Sequence, residues 1–294
     1  MSHISVLSKE VIEGLDIQKG EIFVDATLGS AGHSLQICHE LNAELRIVGI
    51  DQDAERIEES RKKLEKSECL VEIVKENFRN IDKILDRLKI DKVDKILFDL
   101  GLNSEQLENS GRGFSFKKNE PLLMNFSPNP EFTAKTIVNE WSEESIADIL
   151  WAYADEKFSR QIAKKVVELR KEKEIQTTKD LVETIEKAVP NWYKHKKIHF
   201  ATKTFQALRI TVNDEISALE EGLQKSFEKL NKKGKIAVIS FHSLEDRVVK
   251  RYFRELKNKE KAKILTKKPI TPNEEEIKEN PRSRSAKLRI IEKI

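Results

Sequence analysis

The chain has 294 residues, of which 36% are Asp, Glu, Lys or Arg, yet its net charge is only +3. That length allows a sizeable core in one large domain or two smaller ones, and the near balance of charge excludes a whole-molecule field for holding a polyanion. No apolar run approaches the ~18 residues of a membrane span, and the start Met1-Ser-His-Ile-Ser5 lacks the basic and apolar parts of an export signal, so a cytoplasmic location is expected.

Ile22–Asp25 reads as a strand that gives way to the loop Asp25-Ala-Thr-Leu-Gly-Ser-Ala-Gly-His33. Gly29, Ser30, Ala31 and Gly32 are small enough for a ligand to approach the backbone, and the helix predicted over Ser34–Leu41 would offer free N–H groups; a plain strand–turn–helix would look similar. Leu45–Asp51 is the next strand, Asp53–Lys66 a charged helix carrying Ile57 and Leu64, Leu70–Val74 a strand, Ile81–Leu88 a helix and Val93–Asp99 a strand. This alternation implies βαβ units and a parallel sheet with right-handed crossovers. Ligands of such sheets sit at the carboxyl ends of strands, where Asp25, Asp51 and Asp99 all fall. Cys38 and Cys69 each sit in an apolar pattern and are expected to be inert buried thiols.

Residues 102–131 are rich in Gly, Asn, Ser and Pro and read as a long loop. Helical patterns follow over Ser142–Tyr153, Lys157–Lys171 and Thr178–Ala188, with Ser142 and Thr178 as N-cap residues and Trp141 and Trp151 as core. Thr204–Leu230 reads as one helix, because Phe205, Leu208, Val212, Ile216, Leu219, Leu223, Phe227 and Leu230 step by three or four. Lys235–Phe241 is a strand, Ser243–Leu256 a helix, residues 257–284 a mobile loop and Lys287–Ile294 a last strand. An all-α domain inserted into an α/β sheet accounts for this pattern: sheet domain over 1–107, helical insertion with its connecting loop over 108–200, sheet domain again over 201–294.

Asp51 lies about 26 residues after Asp25, the place of the acid that binds ribose hydroxyls in nucleotide-binding sheets, or else it caps the following helix. Gly29 and Gly32 do not give the Gly-x-Gly-x-x-Gly spacing, which favours S-adenosylmethionine over a nicotinamide dinucleotide. Asp99-Leu-Gly-Leu-Asn-Ser104 faces both the sulfonium and the acceptor in methyltransferases of this architecture, or is a capping turn. Phe114 and Phe116, in Gly111-Arg-Gly-Phe-Ser-Phe116, either stack on bases or anchor their loop. From Lys187 to Asn213 there is no Asp or Glu, while Lys187, Lys194, Lys196, Lys197, Lys203 and Arg209 alternate with Trp192, Tyr193, His195, His199 and Phe200. That composition suits a phosphate-contacting surface. The histidines lack acidic or Cys partners at ligand spacing, so no metal is expected.

Several phrases together carry a resemblance over nearly the whole length: His3–Glu10, Asp25–Ser34, Asp51-Gln-Asp53, Asp99–Leu107, Gly111–Phe116, Ala201–Ile210 with Val212, Asn213 and Glu215, Ser240–Arg247 and Asn280–Arg289. The chain resembles the bacterial 16S rRNA (cytosine-N4)-methyltransferase family, MraW or RsmH. The resemblance implies a class I S-adenosylmethionine-dependent methyltransferase sheet, Rossmann-like, with an inserted all-α domain. It implies methyl transfer to the N4 amine of a cytidine in the decoding region of 16S rRNA, with the small ribosomal subunit as partner and a monomer or homodimer as the working form. By position, the cofactor contacts fall on Ala31, Gly32, His33, Asp51, Phe78, Asp99 and Gln106.

The chain departs from the family pattern in four places. Ala31 stands at a usual Gly, Asn103 at a usual Ser and Lys203 at a usual Arg. Pro121-Leu-Leu-Met-Asn-Phe126 lacks the acid and base of the family's Pro-Leu-Asp-Met-Arg-Met. For catalysis, Asp99 or a carbonyl of its loop is expected to accept a hydrogen bond from the acceptor amine, with Asn213 or His242 positioning the base. The competing expectations are a non-catalytic RNA-binding assembly factor and a methyltransferase acting on another nucleic acid or on protein.

Overall fold

Four apolar runs of the first hundred residues become parallel strands in the computed structural model, which describes residues 5–41, 45–67, 69–102, 104–126 and 131–294. His3, at the start of the first resemblance phrase, and Asn103 lie outside the described residues. In chain order the elements are α1 (Ser8–Leu15), β1 (Ile22–Asp25), α2 (Gly32–Leu41), β2 (Arg46–Asp51), α3 (Ala54–Leu64), β3 (Leu70–Lys75), α4 (Ile81–Arg87) and β4 (Val93–Asp99). Then come α5 (Ser104–Asn109), α6 (Ala134–Glu140), α7 (Glu143–Ala154), α8 (Ser159–Arg170), α9 (Thr178–Ala188), α10 (Asn191–Lys194) and α11 (Thr202–Asn213). The chain closes with α12 (Glu215–Lys229), β5 (Leu230–Ser240), α13 (Ser243–Asn258), β6 (Ala262–Ile264), α14 (Glu274–Glu279) and β7 (Lys287–Lys293). It divides into two units, one formed by the described residues up to Gly101 together with Ile216–Ile294, the other by Leu102–Glu215.

The first unit is a seven-stranded sheet in the order β3-β2-β1-β4-β5-β7-β6, with β7 antiparallel to both its neighbours and the first five strands parallel. Period-two alternation sends Val24, Val48, Ile96, Phe98 and Val238 to one apolar layer and Phe23, Ile47, Leu97, Ala237 and Ile239 to the other. Both faces are covered, which is why these strands read as continuous apolar runs rather than alternating ones.

The second unit packs α6 to α9 and α11 around Ile137, Leu150, Ile162, Val166, Leu181, Ile185 and Leu208. Capping boxes at Thr133/Thr136 and Thr177/Asp180 start α6 and α9; Thr177, one residue before the expected cap, serves α9. Glu156 is fully buried here, and its carboxylate accepts the Tyr193 hydroxyl (2.9 Å) and the Phe158 N–H (2.9 Å).

Several expectations need correction. Thr204–Leu230 is two helices: Asp214 takes a left-handed conformation (φ 48°) between α11 and α12, and a single such residue leaves the apolar spacing intact. The insertion returns to the sheet at Ile216 rather than at 201, because Phe205, Ala207 and Leu208 of α11 are buried in the helical core. Residues 257–284 are not a loose loop, since β6 pairs with β7, Ile270 bridges Leu288 and Asn273 caps α14. Cys38 of α2 and Cys69, the residue before β3, are joined in a disulfide with their Cα atoms 6.0 Å apart. Trp151 is 60% exposed rather than core, because α7 turns Ile146, Ala147, Leu150 and Ala154 inward. Trp141 is half-buried and stacks on Phe132.

Candidate active site

The parallel registers set Asp25 opposite Leu97, Asp51 opposite Lys75 and Asp99 opposite Ile239, so all three acids end strands on one rim of the first unit. Asp25 is buried beneath the loop. It accepts the Ser34 hydroxyl (2.7 Å) and the Thr27 N–H (3.3 Å). Burial raises its carboxyl to about 6, with Ser34, His33 and Thr27 opposing. Thr27 acts at both ends, since its Oγ1 accepts the Asp99 N–H (2.6 Å) and so ties the end of β4 to the loop after β1.

His33 lies in the first turn of α2, also buried, with Nε2 3.4 Å from Asp99 Oδ2, an ion-pair contact rather than an aligned hydrogen bond. Burial alone would lower this imidazole, but Asp99 and Asp25 hold it above its ordinary value. A cation at a helix N-terminus is unfavourable, so the upward push comes from these two carboxylates against both burial and the helix. Asp99 Oδ1 and His33 Nδ1 are buried with no hydrogen-bond partner among the described residues, as in a site that a ligand completes.

Asp51 accepts the Gly29 N–H (2.8 Å) through one oxygen and the Asp53 N–H (2.8 Å) through the other. Burial pushes its carboxyl up, and these backbone donors oppose that. The N-cap of α3 is Asp53, not Asp51, and accepts the Glu55 N–H. Each Asp51 oxygen keeps a further lone pair for a hydroxyl. Gly29 (φ 51°) and Ala31 (φ 61°) are both left-handed. For Ala31, fully buried with Leu28 and Leu64, that conformation costs about 1–2 kcal/mol, a strain that Gly would avoid. At Gly32 a Cβ would sit 2.1 Å from Ser5 Oγ and 3.5 Å from Ser5 Cβ, so the N-terminal segment packs on the loop and the Ser5 hydroxyl would have to turn away from any side chain there.

Phe78 opens a short 3₁₀ turn capped by Asn77, packs edge-on to Phe98 (5.4 Å, 89°), and lies where a Cβ on Gly222 of α12 would be 2.7 Å from its ring. His242 is the N-cap of α13. Its Nδ1 accepts the Glu245 N–H (3.3 Å), its Nε2 lies 3.1 Å from Glu245 Oε1, and Glu245 accepts the Phe241 and His242 N–H groups in return. Thus Asp99, His33, Asp51, Ala31 and Gly32 gather on the rim and loop, while His242 is committed to its capping box. Asp25, Thr27 and Ser34 act in the same cluster, and the signal for them was the run of polar residues bracketing the glycine loop.

Gln106 and Asn213 belong to the second unit. Gln106 is buried in α5, its carbonyl accepting the Ser110 hydroxyl (2.6 Å). Asn213 ends α11 and is bonded throughout, accepting the Phe126 N–H (2.9 Å) and donating to the carbonyls of Met124 (2.7 Å) and Arg209 (2.9 Å). Phe114 is buried and Phe116 stacks on His199 (4.4 Å, 14°) with Phe205 at its edge, so both aromatics anchor their loop.

The whole chain, residues 1–294, matches the model of the MraW methylase family. The chain belongs to that family. It is 46% identical over 294 residues, all of both chains, to the ribosomal RNA small subunit methyltransferase H of Sulfurihydrogenibium sp. (strain YO3AOP1). The protein of the same name from Brevibacillus brevis is 43% identical, with 99% of this chain and 98% of the relative covered. Among solved structures, an rRNA methylase from Streptococcus thermophilus aligns over 98% of this chain and 93% of its own, at 11% identity and a TM-score of 0.45.

Within this MraW-family chain, the departures at Pro121–Phe126 have a local account. Met124 (φ 61°) and Leu122 are buried, and Asn125 donates to the Phe132 carbonyl. Arg112 reaches the Asn125 and Phe126 carbonyls, so packing and backbone bonds hold the segment without the missing charges. Lys203 donates to the Asp155 carbonyl (2.6 Å), satisfying the end of α7. Of the other basic residues, Arg209 pairs with Glu215 through two bonds (2.7 and 2.8 Å) and Lys194 with Glu186 (3.6 Å). Lys187, Lys196 and Lys197 are exposed, and Lys196 lies over the rings of Trp192 (4.9 Å) and Tyr193 (5.1 Å).

Proposed function

We propose that this chain methylates the exocyclic N4 amine of a cytidine in the decoding region of 16S rRNA, using S-adenosylmethionine. The observation that carries the reading is the rim itself: three strand-end carboxylates around a small-residue loop, with buried Asp99 Oδ1 and His33 Nδ1 left without partners. A ligand with a ribose diol and a positive centre suits that donor set. When bound, S-adenosylmethionine supplies an electrophilic methyl group on a sulfonium. Asp51 would take the ribose hydroxyls through its remaining lone pairs, Phe78 would flank the adenine, and the backbone at Ala31 and Gly32 would face the amino-acid end.

The acceptor amine is conjugated with its ring and is a weak nucleophile. Asp99, fixed by Thr27 at its N–H and by His33 at its carboxylate, would accept one N–H of that amine and restore lone-pair character to the nitrogen. His33, 3.4 Å from Asp99 Oδ2, would hold that carboxylate in place for this task. The exposed Trp192 with Lys196 and Lys197 supports RNA as the acceptor, since stacking and cation contacts are how single strands are held. A cytoplasmic site of action follows from that substrate, and among the described residues no helix is long and apolar enough to cross a membrane.

Incubation with labelled S-adenosylmethionine and small ribosomal subunits lacking the modification, followed by mapping of the labelled nucleotide, tests the reading. Label on the N4 of one 16S cytidine is expected, with turnover of Asp99→Asn lower by about 10²-fold or more. RNA binding without transferred methyl would show an assembly factor instead, and label on another molecule would move the substrate.

A further inference from the structure

Between Arg247 and Lys268 the chain carries ten Lys and Arg against two Asp and Glu, in a protein whose net charge is only +3. The composition becomes a surface through α13. Val248, Val249, Phe253 and Leu256 face the sheet, while Arg247, Lys250, Arg251, Arg254 and Lys257 are all exposed on the other side. Residues spaced by three, four and seven share one helix face, so Arg247, Lys250 and Arg254 form a stripe. The stripe lines a groove of about 480 Å³ bounded also by Arg251, Asn258 and the Lys259–Glu255 ion pair. Beyond α13 the charge continues through Lys261 and Lys263 onto β6, the edge strand of the sheet.

Solvation of an amphipathic helix needs charge of either sign, and its surface elsewhere in this chain mixes the two. On α3, for example, Lys62 pairs with Glu58 and Lys63 with Glu59. On α13, Arg251 pairs with Glu220 and Lys259 with Glu255, but Lys250, Arg254 and Lys257 have no acidic partner among the described residues. The position is as informative as the charge. β5 runs beside β4 so that Ile239 pairs with Asp99, and α13 starts four residues further on, capped by His242. The helix therefore leaves the rim that carries Asp99 and extends about 24 Å at 1.5 Å per residue. Its outward face carries cations without exposed apolar side chains between them, which suits a phosphate backbone and offers nothing to insert into a lipid surface.

We propose that the outer face of α13, continued by Lys261 and Lys263, is a phosphate-backbone contact surface for the RNA substrate, guiding the strand that flanks the target nucleotide toward the Asp99 rim. This rests on the rRNA methylation reading above. The test uses the full chain and the triple variant Lys250→Gln, Arg254→Gln, Lys257→Gln, with Arg61→Gln and Lys62→Gln on α3 and Lys66→Gln just after it as the comparison. Binding to small ribosomal subunits is measured between 50 and 200 mM KCl, with KM for the subunit and affinity for S-adenosylhomocysteine alongside.

The α13 triple is expected to reduce the slope of log affinity against log salt by about 2–3, at 0.7–0.9 per lost phosphate contact, and to raise KM by about tenfold or more. Its affinity for S-adenosylhomocysteine should stay at the parent value, which shows that the fold is intact. Parent-like binding and KM in the α13 triple overturn the proposal, as does an equal loss in the α3 triple. A parent that leaves no methyl on RNA, beside an α13 triple that still binds RNA more weakly, would refute the methylation reading while supporting the surface.

Discussion

Asp25→Asn isolates the electrostatic cost of the acid buried beneath the cofactor loop. Burial raises the Asp25 carboxyl from an ordinary 3.8 to about 6. A folded-state value above the unfolded one means that protonation favours folding. Asp25 therefore contributes its full stabilisation below about pH 3.8 and loses it as pH rises through about 6. A shift of about two units is roughly 3 kcal/mol between the extremes, of which about 2 kcal/mol falls between pH 4.5 and 7.5. An amide at this position still accepts the Ser34 hydroxyl, so the loop geometry is retained while the titration is removed. Urea unfolding of both proteins at the two pH values, followed by far-UV circular dichroism, measures the difference. The variant should gain about 2 kcal/mol relative to the parent on going from pH 4.5 to 7.5. A stability gap that stays constant with pH to within about 0.5 kcal/mol would refute the argument that Asp25 is held ionised against burial.

Gly222→Ala places a methyl 2.7 Å from the Phe78 ring, which must turn; a helix-propensity gain of about 1 kcal/mol offsets much of the overpacking, so stability should change by less than about 2 kcal/mol. Calorimetry should nevertheless show a several-fold loss of S-adenosylhomocysteine affinity, and an unchanged affinity would remove Phe78 from the adenine site. Replacing both Cys38 and Cys69 by Ser opens a cross-link spanning a sequence separation of 31, which by chain entropy is worth about 3–4 kcal/mol. Denaturation midpoints equal to those of the oxidised parent would show that the bond adds nothing to stability.

The parts of the fold that were legible in the sequence are those governed by local pattern. β1, β2 and β4 are apolar runs that stop at an Asp, and buried parallel strands have no other way to read. The acids of the rim were legible for the same reason, since a strand end is where the pattern breaks. What escaped was non-local. Asp214 interrupts a helical stripe without disturbing its spacing, and His242 is not a usual cap, so neither announces itself. The ordering of β6 and of Ile270 depends on β7, which lies well further along the chain. Asn213 looked free to position a base because its bonds go to Met124 and Phe126, nearly ninety residues earlier. Trp151 looked like core because its size, rather than its place on α7, was the guide.

β7 bears on the order in which a nascent chain can complete this sheet. It is the last of the seven strands in sequence, yet it lies between β5 and β6, and among the described residues β6 has no other neighbour. Until β7 is synthesised, β5 carries an open edge and β6 has nothing to pair with. Roughly fifty residues separate the end of β5 from β7, a delay of about 3 to 10 s at ordinary translation rates. During that interval β5, with Ile236, Val238 and Ile239, offers the kind of unpaired apolar edge that recruits chaperones or a neighbouring chain. The sheet of a ribosome-modifying protein is thereby left unfinished until β7 has itself left the ribosome that makes it.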